Sequence, residues 1–351
     1  MPSNKFFSTI TKETILTSYN FARSSDFVFA EEITHEQYEN IKKSNHKIVH
    51  SDHRVVYIDN ELNLSENDVI FCNTNYVNLL FNSLKKCDLK NLKLITHQTD
   101  IPINEKLFKR KPDCISEWYS INVDYLHDNL IPIPLGLGNY YSPKNLFYEK
   151  FAKKDLDKST KVEKIYVNFK VNTNTKLRQK ILNSLKMKEF CYIDDHSDDL
   201  NYYLDQISKF KFVACPQGNG IDTHRLWETI YAGSIPIATK HISLKTTNFL
   251  PIIFVENFDK VDLDQLIKDS QILSTFNFEK LKINYWIDQI NLKKVQNNDS
   301  YTFIQKKFNV LLYVFWYKFK LFLNSNFKKI IYFLSRFKKI FKVEIKKTNI
   351  I

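Results

Sequence analysis

FVACPQGNGIDTHRLWETIYAGSIPI, residues 212–237, is the stretch from which the rest of the chain can be read. Phe212–Cys215 reads as a buried strand, being short, apolar and rich in aromatic and branched side chains. Pro216-Gln217-Gly218-Asn219-Gly220 stops it, and a helix opens at Asp222 or Thr223 and runs to about Ala232. Ile235–Ala238 reads as the next strand. A strand, a glycine loop, a helix and a strand make the repeating unit of a parallel α/β sheet. Leu226, Ile230 and Gly233 are expected to face that sheet, with Asp222 as the helix N-cap.

The same stretch carries a chemical expectation. Gly218 and Gly220, flanking Asn219, let backbone approach a ligand closely, and the helix that follows offers unpaired N–H groups with partial positive charge. That pairing suits a diphosphate. Arg225, in the first turn, can add a charge-assisted contact, with His224 beside it. Glu228, three residues on, shares the Arg225 face and could accept hydrogen bonds from ribose hydroxyls. The competing reading is a plain turn followed by a helix-surface pair of Arg225 and Glu228.

Working outward, the α/β rhythm continues on both sides. Ile165–Phe169 and Phe190–Ile193 read as strands, Thr175–Leu185 as a helix, and Ser197 as the cap of a helix to about Lys209. Arg178 follows the polar loop Asn172–Thr175, from which it could assist a phosphate. Ile252–Val255 is a further strand and Phe276–Leu292 a closing helix. Upstream, Phe27–Ala30, Val55–Ile58, Val69–Cys72 and Leu92–Thr96 are apolar runs, with Tyr76–Leu84 helical between them. These predict a parallel sheet with helices on its faces. Ile131–Gly138, with its prolines and glycines, suits a crossing between units. The predicted organisation is an α/β unit over 1–140, a second over 141–300, and a tail over 301–351.

The segment Gly218–Ile237 resembles the donor-binding segment of exostosin-like glycosyltransferases, through Arg225, Glu228, Gly233 and Ile235-Pro236-Ile237. Glu117–Asp124 and Ile131–Leu137 are similar to bacterial members of that broad group, so the resemblance spans roughly 90–260. It implies the GT-B fold of two facing Rossmann-like domains. It also implies a nucleotide-sugar donor, with Arg225 on the diphosphate and Glu228 on the ribose, and a glycan or lipid-linked acceptor. Such enzymes usually need no metal ion or other cofactor. A more distant likeness to fucosyltransferases of GT-B type leaves the donor nucleotide open, UDP among the candidates. Neither the amino-terminal anchor nor the second catalytic module of animal exostosins is expected from these residues, which favours a role in bacterial or viral surface-glycan assembly. A catalytically silent carbohydrate-binding protein on the same fold is the alternative.

An inverting transfer needs a base from the opposite unit. Thr96-His97-Gln98-Thr99-Asp100 follows a strand and sits where such a group belongs, with Asp100 the first candidate and His97 the second. Asp124 and His127 rank behind them. Asp194-Asp195-His196 and Asp198-Asp199 could suggest Mg²⁺, but acids in a first helical turn are favoured by the helix dipole, and these are read as structural.

The net charge of +12 is unevenly placed: residues 301–351 hold twelve Lys and Arg against Glu344 alone, leaving the body near neutral. The body therefore offers no general argument for nucleic acid. Five scattered cysteines without CxxC spacing read as reduced thiols of a cytoplasmic protein. Met1–Ser18 lacks the apolar centre of a signal peptide. In the tail, Phe308, Leu311, Leu312, Phe315, Phe319 and Phe322 recur at helical spacing, and Phe327, Ile330, Ile331, Leu334, Phe337 and Phe341 form a second set. Basic, aromatic-rich amphipathic helices predict attachment to the anionic inner face of a membrane.

Overall fold

The computed structural model describes residues 9–139, 145–153, 161–195, 199–272, 276–292 and 300–304, with Leu312, Phe315, Trp316, Phe319 and Leu323 beyond them. The chain divides into two compact units, Met1–Phe303 and Ile304–Ile351.

The first unit is mixed α/β. Its first half contributes β1 (Phe27–Ile33), β2 (His46–Ser51), β3 (Val55–Asp59), β4 (Glu61–Ser65), β5 (Val69–Asn73), β6 (Leu92–His97), β7 (Ile115–Ser120) and β8 (Leu130–Pro132). Seven of these form a sheet in the order β2-β3-β1-β5-β6-β7-β8. From β1 to β8 the pairing is parallel, and β5 and β6 are buried along their whole length, as covered parallel strands are. The sheet is not wholly parallel as expected: β3 runs antiparallel to both β1 and β2. Histidine, lysine and serine in His46–Ser51 masked that edge strand, since an edge needs little apolar surface. β4 alternates exposed and buried residues and pairs with β14 (Ser300–Ile304).

The second half contributes β9 (Val162–Val167), β10 (Cys191–Ile193), β11 (Phe210–Ala214), β12 (Ile235–Thr239) and β13 (Ile253–Val255), in the order β10-β9-β11-β12-β13. All four pairings are parallel. Connecting helices include Thr175–Lys186, Leu200–Lys209 and His224–Tyr231. Ser197 lies outside the described residues, and Asp199 caps the second of these helices by accepting from Asn201 and Tyr202. The single closing helix expected over 276–292 is instead a short 3-10 turn, Phe278–Leu281, followed by a helix over Ile283–Asn291.

The halves share a core. One buried cluster joins Phe71, Ile95 and Tyr119 to Trp227, Ile230 and Trp286. The amino-terminal segment stitches them further: Ile283 N donates to Thr14 O at 2.7 Å and Leu16 N to the Tyr231 hydroxyl at 3.2 Å. Gly136 completes the seam. Its φ of +71° favours glycine, and a Cβ there would sit 2.2 Å from Leu16 O.

In the second unit, Leu312, Phe315, Trp316, Phe319 and Leu323 are helical and exposed, Phe315 by 60% and Trp316 by 57%. Their spacing puts them on one stripe, where Phe315 and Phe319 stack with centroids 6.2 Å apart. Phe308, Leu311, Phe322 and the second set, Phe327 to Phe341, lie outside the described residues. Among the described residues no helix is long and apolar enough to cross a membrane.

Candidate active site

The order of the second sheet locates a crevice. Strands to one side of β9 and to the other side of β11 diverge, so the loops leaving their carboxyl ends part between them. Those loops begin at Asn168 and at Cys215, and they line a cavity of about 470 Å³. The carboxyl ends of β1 and β6 in the first sheet line the same cavity, through Glu32 and His97, as does the loop after β6 as far as Asp100. Nine of the residues singled out from the sequence fall on its wall: His97, Asp100, Arg178, Gly218, Asn219, Gly220, His224, Arg225 and Glu228.

Arg178 and the glycine loop form one structure. The Arg178 guanidinium donates to Lys170 O, Pro216 O and Gln217 O at 2.8–3.0 Å, and Asn174 Nδ2 donates to Gly218 O. Arg178 thus commits three of its five N–H donors to backbone carbonyls, two of them in the loop, and burial beside Arg225 pushes its pKa down to about 10. Its charge still reaches the cavity wall.

Arg225 is placed differently. One terminal nitrogen donates to Asn168 Oδ1, and the guanidinium stands 5.2 Å from the Tyr203 ring centre. That fixes its plane while leaving N–H donors for a ligand. Glu228 is only 3% exposed, and accepts from Leu146 N at 2.8 Å and the Tyr203 hydroxyl at 3.0 Å. Arg225 and Glu228 are therefore not a solvated helix-surface pair: Tyr203 stands between them, its ring under one and its hydroxyl on the other.

Asp222 does not cap the helix as expected. Thr223 occupies the N-cap position, without a side-chain cap bond. The Asp222 carboxylate instead accepts from Leu135 N at 2.9 Å and from the Trp227 indole, so it binds the crossing segment to the helix. Burial pushes its pKa up to about 7. His224 belongs to the same seam, its Nδ1 donating to Gly136 O at 2.8 Å.

Across the cavity, Gln98 and Asn122 adopt left-handed backbone, φ +72° and +54°. Such strain in side-chain-bearing residues clusters at functional sites. Gln98 accepts from Glu32 N and donates to Glu32 O, tying the β6 loop to the end of β1. Asn122 accepts from both Ile221 N and Asp222 N while donating to Thr99 O, which joins the glycine loop to the Asp100 loop. His97 Nδ1 accepts from Gln98 N at 2.8 Å, so its proton sits on Nε2. Burial, with His224 nearby, pushes its pKa down to about 3. His97 can donate a hydrogen bond at neutral pH but has no free lone pair with which to act as a base. Asp124 pairs with His241 at 3.5 Å, and His127 packs on Phe108, neither lining the cavity.

Asp194 accepts from the Tyr166 and Tyr202 hydroxyls and Asp199 caps a helix, while His196 and Asp198 lie outside the described residues. Reading the sequence missed Asn122, Asn168 and Tyr203. Asn168 was hidden inside the strand expected over Ile165–Phe169, which ends at Val167; the other two act only through partners distant in sequence.

Gly220 brings the two sides into contact. A Cβ there would stand 2.8 Å from Asp100 Oδ1 and 3.1 Å from the Asn122 amide. Gly220→Ala should therefore displace the Asp100 carboxylate. Because that carboxylate is a side-chain tip, the cost should fall at the low end of the ~1–3 kcal/mol typical of overpacking. Thermal denaturation checks it: a modest loss of stability is expected, and unchanged stability would separate Asp100 from the loop.

No family model matches the chain, and no curated protein matches it.

Proposed function

We propose that the chain is a glycosyltransferase that moves a sugar from a nucleoside diphosphate donor to a glycan or lipid-linked acceptor, its two halves acting as the facing Rossmann-like domains of a GT-B enzyme. The observation that carries this reading is a single cavity at the switch point of a parallel sheet. It collects the glycine loop, Arg225 and Arg178 on one wall and the Asp100 carboxylate on the other. The loop and the N-terminus of the helix His224–Tyr231 receive the diphosphate, with Arg225 as its charged partner. Asn168 and Tyr203 hold Arg225 in place. The remaining acceptor capacity of Glu228 serves the ribose.

In the transfer, Asp100 takes the proton of the acceptor hydroxyl. The acceptor oxygen bonds the anomeric carbon as the bond to the diphosphate breaks, and the diphosphate leaves with its electron pair. Charge developing on the leaving group falls to Arg225 and the helix N-terminus, so no metal ion is assigned a role. A panel of nucleotide sugars, assayed for nucleoside diphosphate release in the presence of chelator, tests the reading. Release from one donor is expected, stimulated by acceptor; its absence from every donor, together with saturable binding of free glycans, would favour a silent carbohydrate-binding protein.

The tail supplies the location within this proposal: the inner surface of an anionic membrane. Its net +11 attracts anionic lipid, and the stripe of Leu312, Phe315, Trp316, Phe319 and Leu323 settles into the headgroup boundary. Each Lys or Arg near the surface contributes ~1 kcal/mol. The full chain should co-sediment with anionic vesicles more than with neutral ones, and removal of residues 304–351 should abolish this. Equal sedimentation of both chains would refute the anchor.

A further inference from the structure

A second cavity, of about 240 Å³, shares no lining residue with the cleft among the described residues. Its walls are aromatic: Tyr119, Phe249, Tyr285 and Trp286. Its unusual member is Lys280, only 8% exposed. The ammonium donates to Thr246 O at 2.9 Å and Asn248 O at 2.7 Å, and stands 5.6 Å from the Phe249 ring centre and 5.7 Å from that of Tyr285. Among the described residues, two of its three N–H bonds are used and no acidic residue lines the cavity. Buried charges are normally paired, because an uncompensated one is costly.

The surroundings are built to keep that charge in position. The Trp286 indole donates to Lys280 O at 2.9 Å. Phe249 has φ +67° yet leaves its ring 66% exposed. A bulky residue in left-handed backbone is strained, and burial of its side chain does not repay the strain here. What the conformation achieves is an aromatic face above an ammonium. Asn248, Thr246, Lys245 and Gln289 add polar groups at the rim.

We infer that this cavity binds an anionic sugar unit, a single ring bearing a carboxylate or a phosphate. The anion supplies a counter-charge to Lys280, the apolar face of the ring lies on Phe249 or Tyr285, and the rim amides meet its hydroxyls. The volume is below the ~300 Å³ at which pockets for larger ligands begin, so one ring is the appropriate size. This inference is independent of the transferase reading, since it concerns a separate cavity.

The test is calorimetric titration of the full chain with glucuronate, glucose 6-phosphate, glucose and inorganic phosphate. Saturable binding of either anionic sugar is expected, about tenfold or more tighter than glucose, as one charged hydrogen bond implies. Which of the two binds identifies the anion. Lys280→Met should remove that preference. Phe249→Ala, at an exposed ring, should weaken both sugars and serves if the lysine variant fails to fold. The inference is overturned if neither anionic sugar saturates, if phosphate alone binds as tightly as the sugars, or if Lys280→Met leaves the preference intact. Displacement of a bound anionic sugar by nucleoside diphosphate would also overturn it, by placing the sugar in the cleft.

Discussion

Asp100→Asn should lower turnover roughly 10²–10⁴-fold, the range associated with loss of a general base, while nucleotide affinity stays near that of the unmodified chain. The expectation follows from position. Asp100 lies on the loop leaving the carboxyl end of β6, directly above Gly220, and Asn122 binds its neighbour Thr99 to the glycine loop. A carboxylate so placed meets whatever sits on the loop. The competing base is removed by its own environment: His97 accepts a hydrogen bond on Nδ1, carries its proton on Nε2, and is kept neutral by burial. The asparagine variant keeps the shape and loses the proton acceptor. Single-turnover kinetics with saturating donor measures the effect directly. Near-normal turnover would move the base elsewhere or make the transfer a retaining one.

Arg225→Ala should weaken nucleoside diphosphate binding by about 1.5–3 kcal/mol, the usual worth of a hydrogen bond to a charged group. Unlike Arg178, whose guanidinium is committed to three backbone carbonyls, Arg225 is oriented by Asn168 and Tyr203 with donors to spare. Removing Arg178 should instead release the loop, so its effect should appear in stability as well as affinity. Removing Arg225 should spare stability by comparison. Equal loss of stability in both variants would mean that Arg225, too, is only a structural tie.

The sequence was most informative where local rules suffice. The strand, loop and helix of residues 212–237 follow from apolar runs broken by Pro216, Gly218 and Gly220, and the structure places them as read. β2 was illegible because an edge strand needs little apolar surface. Asp222 shows another limit. Its place before a helix suggested a cap, but its carboxylate binds Leu135 N, 87 positions away, a partner no local rule can reveal. Glu228 combines both cases: its presence on the cavity wall was expected, but its hydrogen bonds to Leu146 and Tyr203 come from the tertiary fold. The shared core likewise depends on Ile15, Leu16 and Phe21 packing with Trp227 and Tyr231, a long-range contact set that periodicity does not encode.

The cavity at the carboxyl ends of β9 and β11 is expected to receive a nucleoside diphosphate. Titration calorimetry of the full chain with UDP, GDP, ADP, CDP and dTDP tests it without knowledge of sugar or acceptor. Saturable one-to-one binding of at least one of them is expected, weakened by Arg225→Ala and unaffected by Lys280→Met. A folded protein that binds none of the five, or binds one equally well after Arg225→Ala, would contradict it.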